Sequence, residues 1–106
     1  EKRMTSLTCN NLSFLSRERG NLAGALDYAL IGRDAANSSG EAIEIVWAET
    51  YVGTILKEMG RLVDAEKHLV RASMMASSFK NSELSKEIEK GLKGLGINTS
   101  KLGRRS

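Results

Sequence analysis

The chain has no proline, and among its 106 residues there is one cysteine, one histidine and one tryptophan. Each scarcity excludes something. Cys9 alone cannot form an internal disulfide, which points to a reducing, intracellular setting, with the cytoplasm expected first and an organelle left open. A metal shell would need several carboxylates beside Cys9 and His68, so no metal and no cofactor is expected. Aromatics amount to 5%, too few, without turn prolines, for an all-β domain. No apolar run is long enough to span a bilayer, and no membrane partner is expected. The start, Glu1-Lys2-Arg3-Met4, is not a signal peptide.

What is present fits a helical globular domain. Hydrophobic residues make up 41% and charged residues 27%, enough apolar surface for a modest core. The net charge of +3 is unevenly placed. Lys101, Arg104 and Arg105 lie in 98–106 without an acid, and the rest of the chain balances thirteen bases against thirteen acids. The basic character belongs to the tail, so it is poor evidence for a nucleic-acid surface, and a nucleic-acid partner is not the first expectation.

Breakers divide the chain at Gly20-Asn21, at Asn37-Ser38-Ser39-Gly40, at Gly60, at Lys80-Asn81-Ser82 and at Gly91, Gly94 and Gly96. The stretches between them repeat apolar residues at helical spacing. The fold class is therefore all-α. A domain over 1–97 comprises a first hairpin over 6–36, a second over 41–79 and an amphipathic capping helix over 83–95. Asn81 or Ser82 can cap that last helix. Residues 98–106 form a basic flexible tail.

The two hairpins match each other in register. Ser13, Gly20, Ala25 and Gly32 recur as Gly53, Gly60, Ala65 and Ala72, forty positions later. Self-similarity at a fixed period marks a stacked repeat. Small residues suit the places where helices cross closely: Ser13 or Gly53 where the first helix meets the second, Ala25 or Ala65 on the second helix. Gly20 and Gly60 suit a left-handed turn. Gly32 or Ala72 would let the next unit dock.

This ladder, with the stretch Leu56-Lys57-Glu58-Met59-Gly60-Arg61-Leu62-Val63-Asp64-Ala65-Glu66, resembles the tetratricopeptide repeat family over about residues 6–79. The period of forty exceeds the family's usual thirty-four and is similar to its long-repeat variants. Cys9 and Glu49 stand where the family carries a large aromatic, Asn37 and Ser77 replace its terminal proline, and Ala29 is small where a bulky residue is usual. The resemblance implies a short solenoid whose first helices line a concave groove. In that groove it places Leu7, Asn10, Phe14, Arg17 and Glu18 from the first hairpin, and Trp47, Thr50, Thr54, Lys57 and Glu58 from the second. A peptide or helix of apolar and acidic character would suit this mixture. The bland reading assigns Phe14, Leu7 and Trp47 to packing, and Arg17 and Lys57 to solvated surface. The family's chaperone-tail clamp needs a lysine where Asn10, Phe14 and Tyr51 stand, so that subtype is not expected.

Signals for catalysis are weak, and an enzyme is not expected. His68 follows Asp64 by four residues, the spacing of a helix-surface pair. The glycine-rich run Gly91–Ile97 lacks the Gly-Lys-Ser/Thr ending of a phosphate loop. The expectation is a protein-interaction scaffold or adaptor module that binds another protein, within a larger repeat array, a homodimer or a multiprotein complex. The alternative is a nucleic-acid-associated accessory module whose basic tail touches phosphate.

Overall fold

The structure is a computed structural model, and it describes residues 5–96. Those residues form five α-helices and no strand: α1 (Ser6–Glu18), α2 (Leu22–Ser39), α3 (Ala42–Glu58), α4 (Leu62–Ala76) and α5 (Ser82–Gly94). No helix among them is long and apolar enough to cross a membrane. The basic tail, 98–106, lies outside the described residues.

The starts and stops follow local chemistry. Thr5, Asn21 and Asn81 cap α1, α2 and α5, their side-chain oxygens accepting from the amides of Thr8, Gly24 and Leu84 at 3.1, 2.9 and 2.9 Å. Gly20 and Gly60 adopt left-handed φ values of 81° and 84°, which a side chain would strain. Around Gly20, the amides of Gly20 and Asn21 donate to Arg17 and Ser16; around Gly60, those of Gly60 and Arg61 donate to Lys57 and Leu56. The same turn is thus built twice, forty residues apart.

Several helix boundaries differ from the sequence reading. Helix α2 runs on through Asn37, Ser38 and Ser39, because only Gly40, at φ 75°, leaves the helical region. The Ser39 hydroxyl donates to the Ala36 carbonyl at 2.8 Å. Helix α4 stops at Ala76 rather than Phe79, where Ser77 and Ser78 turn their hydroxyls onto the Met74 and Met75 carbonyls. Helix α5 begins and ends one residue early, set by its Asn81 cap.

Neighbours in sequence pack in space: α1 on α2, α2 on α3, α3 on α4, α4 on α5. In addition α1 touches α3 and α3 touches α5, while α2 and α4 do not meet. Helices α1, α3 and α5 therefore form one layer and α2 and α4 the other.

Two apolar clusters hold the layers together. One joins Val46, Leu69, Ala72, Leu84, Ile88 and Leu92; the other joins Ala25, Ala29, Val52, Ile55, Leu56 and Ala65. Each fully buried Leu or Ile stabilises by about 1.5–3 kcal/mol. Helix α1 contributes to neither cluster; its buried residues are Ser6, Cys9 and Ser13.

The small-residue ladder sits at helix crossings, with one change of role. The Ser13 hydroxyl donates to the Ala25 carbonyl at 2.8 Å. A Cβ on Gly53 would lie 2.6 Å from Leu69 Cγ and 3.3 Å from the Ala65 carbonyl oxygen. Gly32 does not serve the next unit: a Cβ there would meet Cys9 Cβ at 2.9 Å, so it admits α1 of its own hairpin. Ala72 packs in the cluster shared with α5.

Candidate functional site: the cleft between α1, α3 and α5

The layer made by α1, α3 and α5 contains an open cleft of about 360 Å³. Ser6, Leu7, Asn10 and Asn11 come from α1, Glu44, Trp47 and Tyr51 from α3, and Glu83 from the first turn of α5. Helical periodicity explains the set, since Leu7, Asn10 and Asn11 share one face of α1, and Glu44, Trp47 and Tyr51 one face of α3.

The aromatic pair is the apolar floor. The Trp47 and Tyr51 ring centroids lie 6.1 Å apart with planes tilted by 33°. Trp47 also packs against the α4–α5 cluster, so one part of the indole is core and another lines the cleft. Burial, reinforced by the nearby carboxylates of Glu87 and Glu83, raises the Tyr51 hydroxyl above its ordinary pKa, against a smaller opposing effect of Arg17.

Glu44 is held in place. Its Oε1 accepts the Ser6 hydroxyl at 3.0 Å, which ties α3 to α1, and lies 3.2 Å from the Ser39 Oγ, whose proton has the Ala36 carbonyl as its nearer acceptor. Asn10 is half-buried, and its Oδ1 is buried without a hydrogen-bond partner. That atom lies 3.5 Å from where a Gly32 Cβ would stand, at the back of α1 rather than at the cleft mouth.

The residues assigned by resemblance separate into distinct environments. Leu7, Asn10 and Trp47 line the cleft. Phe14 is 46% exposed, farther along α1. Thr50 is not on the open face; it is buried and its hydroxyl donates to the Val46 carbonyl at 2.8 Å. Thr54 is half-buried. Arg17 is not a free cation, because its guanidinium grips Glu58 through two nitrogens at 2.6–3.0 Å. Lys57, forty residues later, leans on α5, with its Nζ 2.7 Å from where a Gly94 Cβ would be. Each long cation thus reaches from one helix of this layer toward the next. Ser6, Asn11, Glu44, Tyr51 and Glu83 complete the cleft, and, spread over three helices, they share no spacing that signals it in the sequence.

His68 is not paired with Asp64, which bonds Arg61 instead. Its Nδ1 lies 2.5 Å from Glu49 Oε1, and Glu49 is only 2% exposed. Burial raises the Glu49 pKa, but the His68 hydrogen bond and the charges of His68, Arg71 and Arg33 outweigh it and hold the carboxyl below its ordinary value. Nδ1 therefore carries the bonding proton. Glu49 stands where the first hairpin has Cys9, also buried, whose thiol is raised by desolvation. Among the described residues no group of three or more His, Cys, Asp or Glu could hold a metal ion.

A second hollow of about 660 Å³ lies between the end of α4 and α5, lined by Phe79, Lys80, Lys86 and several serines, and shares no residue with the cleft. Comparison with known proteins finds no matching family model, no matching curated protein and no matching solved structure.

Proposed function

We propose that this chain is a protein-interaction scaffold of the tetratricopeptide type, and that the cleft between α1, α3 and α5 holds a peptide or helix of another protein. The observation that carries the reading is that Trp47 and Tyr51, each half-buried against the apolar clusters, also line the open cleft. Large aromatic rings at a concave surface provide apolar area at little conformational cost, as binding surfaces require. The turn repeated at Gly20 and Gly60 and the alternation of helices between two layers support the solenoid reading. Exposed Leu7, Phe14 and Leu15 on α1 fit a unit that works beside further repeats, a second copy or another subunit. The nucleic-acid alternative rests on tail residues outside those described.

The test is a displayed random-peptide selection against the full chain, with recovered peptides then measured on Tyr51→Ala and Leu7→Asp. A convergent motif that loses affinity on both variants supports the cleft. Peptides that bind both variants as well as wild type, or a selection that never converges, overturn it.

A further inference from the structure

The chemistry of the cleft points to a particular occupant. Its charged lining residues, Glu44 and Glu83, are both acidic. The two cations that the family resemblance would place in a groove are engaged elsewhere, Arg17 by Glu58 and Lys57 against α5. An acidic peptide would therefore meet carboxylates and no free cation among the cleft-lining residues, and like charge brought together on docking opposes binding.

We propose that the cleft receives an arginine side chain carried on an otherwise apolar peptide segment. This rests on the docking reading above and adds the chemistry of the partner. The planar guanidinium stacks on an indole or phenol face, and its N–H groups donate to carboxylates at the border of the ring. The cleft offers both elements, with Trp47 and Tyr51 as the faces and Glu44 and Glu83 as acceptors. Glu44 is preorganised for the role: Ser6 donates to Oε1, the Ser39 Oγ lies beside that same oxygen, and neither engages Oε2. The Asn10 and Asn11 amides add neutral groups, and Leu7, 68% exposed, covers an apolar residue beside the arginine. First-turn carboxylates also suit the N-termini of α3 and α5, so these acids support their helices whether or not a ligand is bound.

The experiment uses three synthetic peptides of one alanine- and leucine-rich sequence that differ at a single central residue: Arg, Gln or Glu. Trp47 is the sole tryptophan, so its fluorescence reports the cleft directly, and amide NMR shifts map the site on the full chain. The Arg peptide is expected to bind about tenfold tighter than the Gln peptide, with the Glu peptide weakest. In the Glu44→Gln/Glu83→Gln variant the Arg advantage falls to the small preference that ring stacking alone supplies, while the Gln peptide keeps its wild-type affinity. Glutamine at 44 retains an acceptor oxygen for Ser6, and an unchanged far-UV spectrum confirms folding. Equal affinities in wild type, a stronger Glu peptide, or an Arg preference undiminished in the variant overturns the arginine site. Cleft binding without charge preference would leave the docking reading standing. If no peptide perturbs the cleft, the arginine site fails, and the displayed selection decides docking separately.

Discussion

Leu69 occupies the space that a side chain at residue 53 would need: its Cγ lies 2.6 Å from where a Gly53 Cβ would be. In the first hairpin the same two positions are Ser13 and Ala29, where the small alanine leaves room for a hydroxyl that bonds the Ala25 carbonyl. Each hairpin thus pairs one larger with one smaller residue, in opposite order. Gly53→Ala should therefore destabilise by about 1–3 kcal/mol, although alanine favours a helix interior. The double change Gly53→Ala/Leu69→Ala should cost less than the sum of the singles. Urea unfolding of the four proteins measures the coupling, and strict additivity would refute the exchange.

The Arg17–Glu58 bridge joins α1 to α3 at the surface, where the two side chains are 30% and 33% exposed. Such pairs contribute about 0.2–1 kcal/mol. Arg17→Ala should cost no more than that, and the penalty should shrink in high salt. Reversing both charges, Arg17→Glu with Glu58→Arg, should restore most of the loss. An Arg17→Glu change alone would set like charges together where α1 meets α3, so it is a poor probe of binding.

Glu49 gives the fold an acid sensitivity of known sign. Its folded pKa lies below the unfolded value, despite desolvation, because of His68, Arg71 and Arg33. The unfolded chain therefore takes up the proton first on acidification. The stabilisation is fully present above the ordinary carboxylate pKa of about 4.3 and is lost as pH falls through the lower folded value. Glu58, lowered chiefly by its Arg17 hydrogen bond, adds a smaller effect of the same sign. The pH slope of unfolding free energy below about pH 4 should flatten in Glu49→Gln. His68→Ala leaves a buried carboxylate with Arg71 at 3.8 Å and should cost about 2–4 kcal/mol, whereas Asp64→Ala should cost under about 1.

Much of this architecture is legible in the sequence because it is local. Five helices, the left-handed glycines at 20 and 60, the Asn81 cap and the crossings at Ser13 and Gly53 all follow from spacing and residue type. The departures involve choices that spacing does not determine. Asn37, Ser38 and Ser39 favour turns in isolation, yet the helix continues until a residue takes up positive φ. His68 has an acid four residues before it and bonds one nineteen residues before it, on the facing helix. Thr50 is spaced as a groove residue, but the face of α3 it shares turns inward. Arg17 finds its partner forty-one residues away, and that pairing withholds from the cleft the cation it was expected to supply.

Helix α1 should be the first part of the fold to open. It buries Ser6, Cys9 and Ser13, adds nothing to either apolar cluster, and leaves Leu7, Phe14 and Leu15 exposed. Local opening costs least where little apolar surface is buried. Cys9 reports this motion, because its thiol is wholly buried and shifted away from the reactive thiolate. In native buffer, thiol labelling should be slow, should track a free energy below that of global unfolding, and should respond weakly to urea. Amide exchange should show α1 less protected than α3 and α4. Gly32→Ala crowds Cys9 at 2.9 Å and should accelerate labelling while leaving α4 protection nearly unchanged. Cys9 labelling that follows the global unfolding energy, with full urea sensitivity, would mean that α1 is as firmly bound as the rest and that small, polar contacts suffice to hold it.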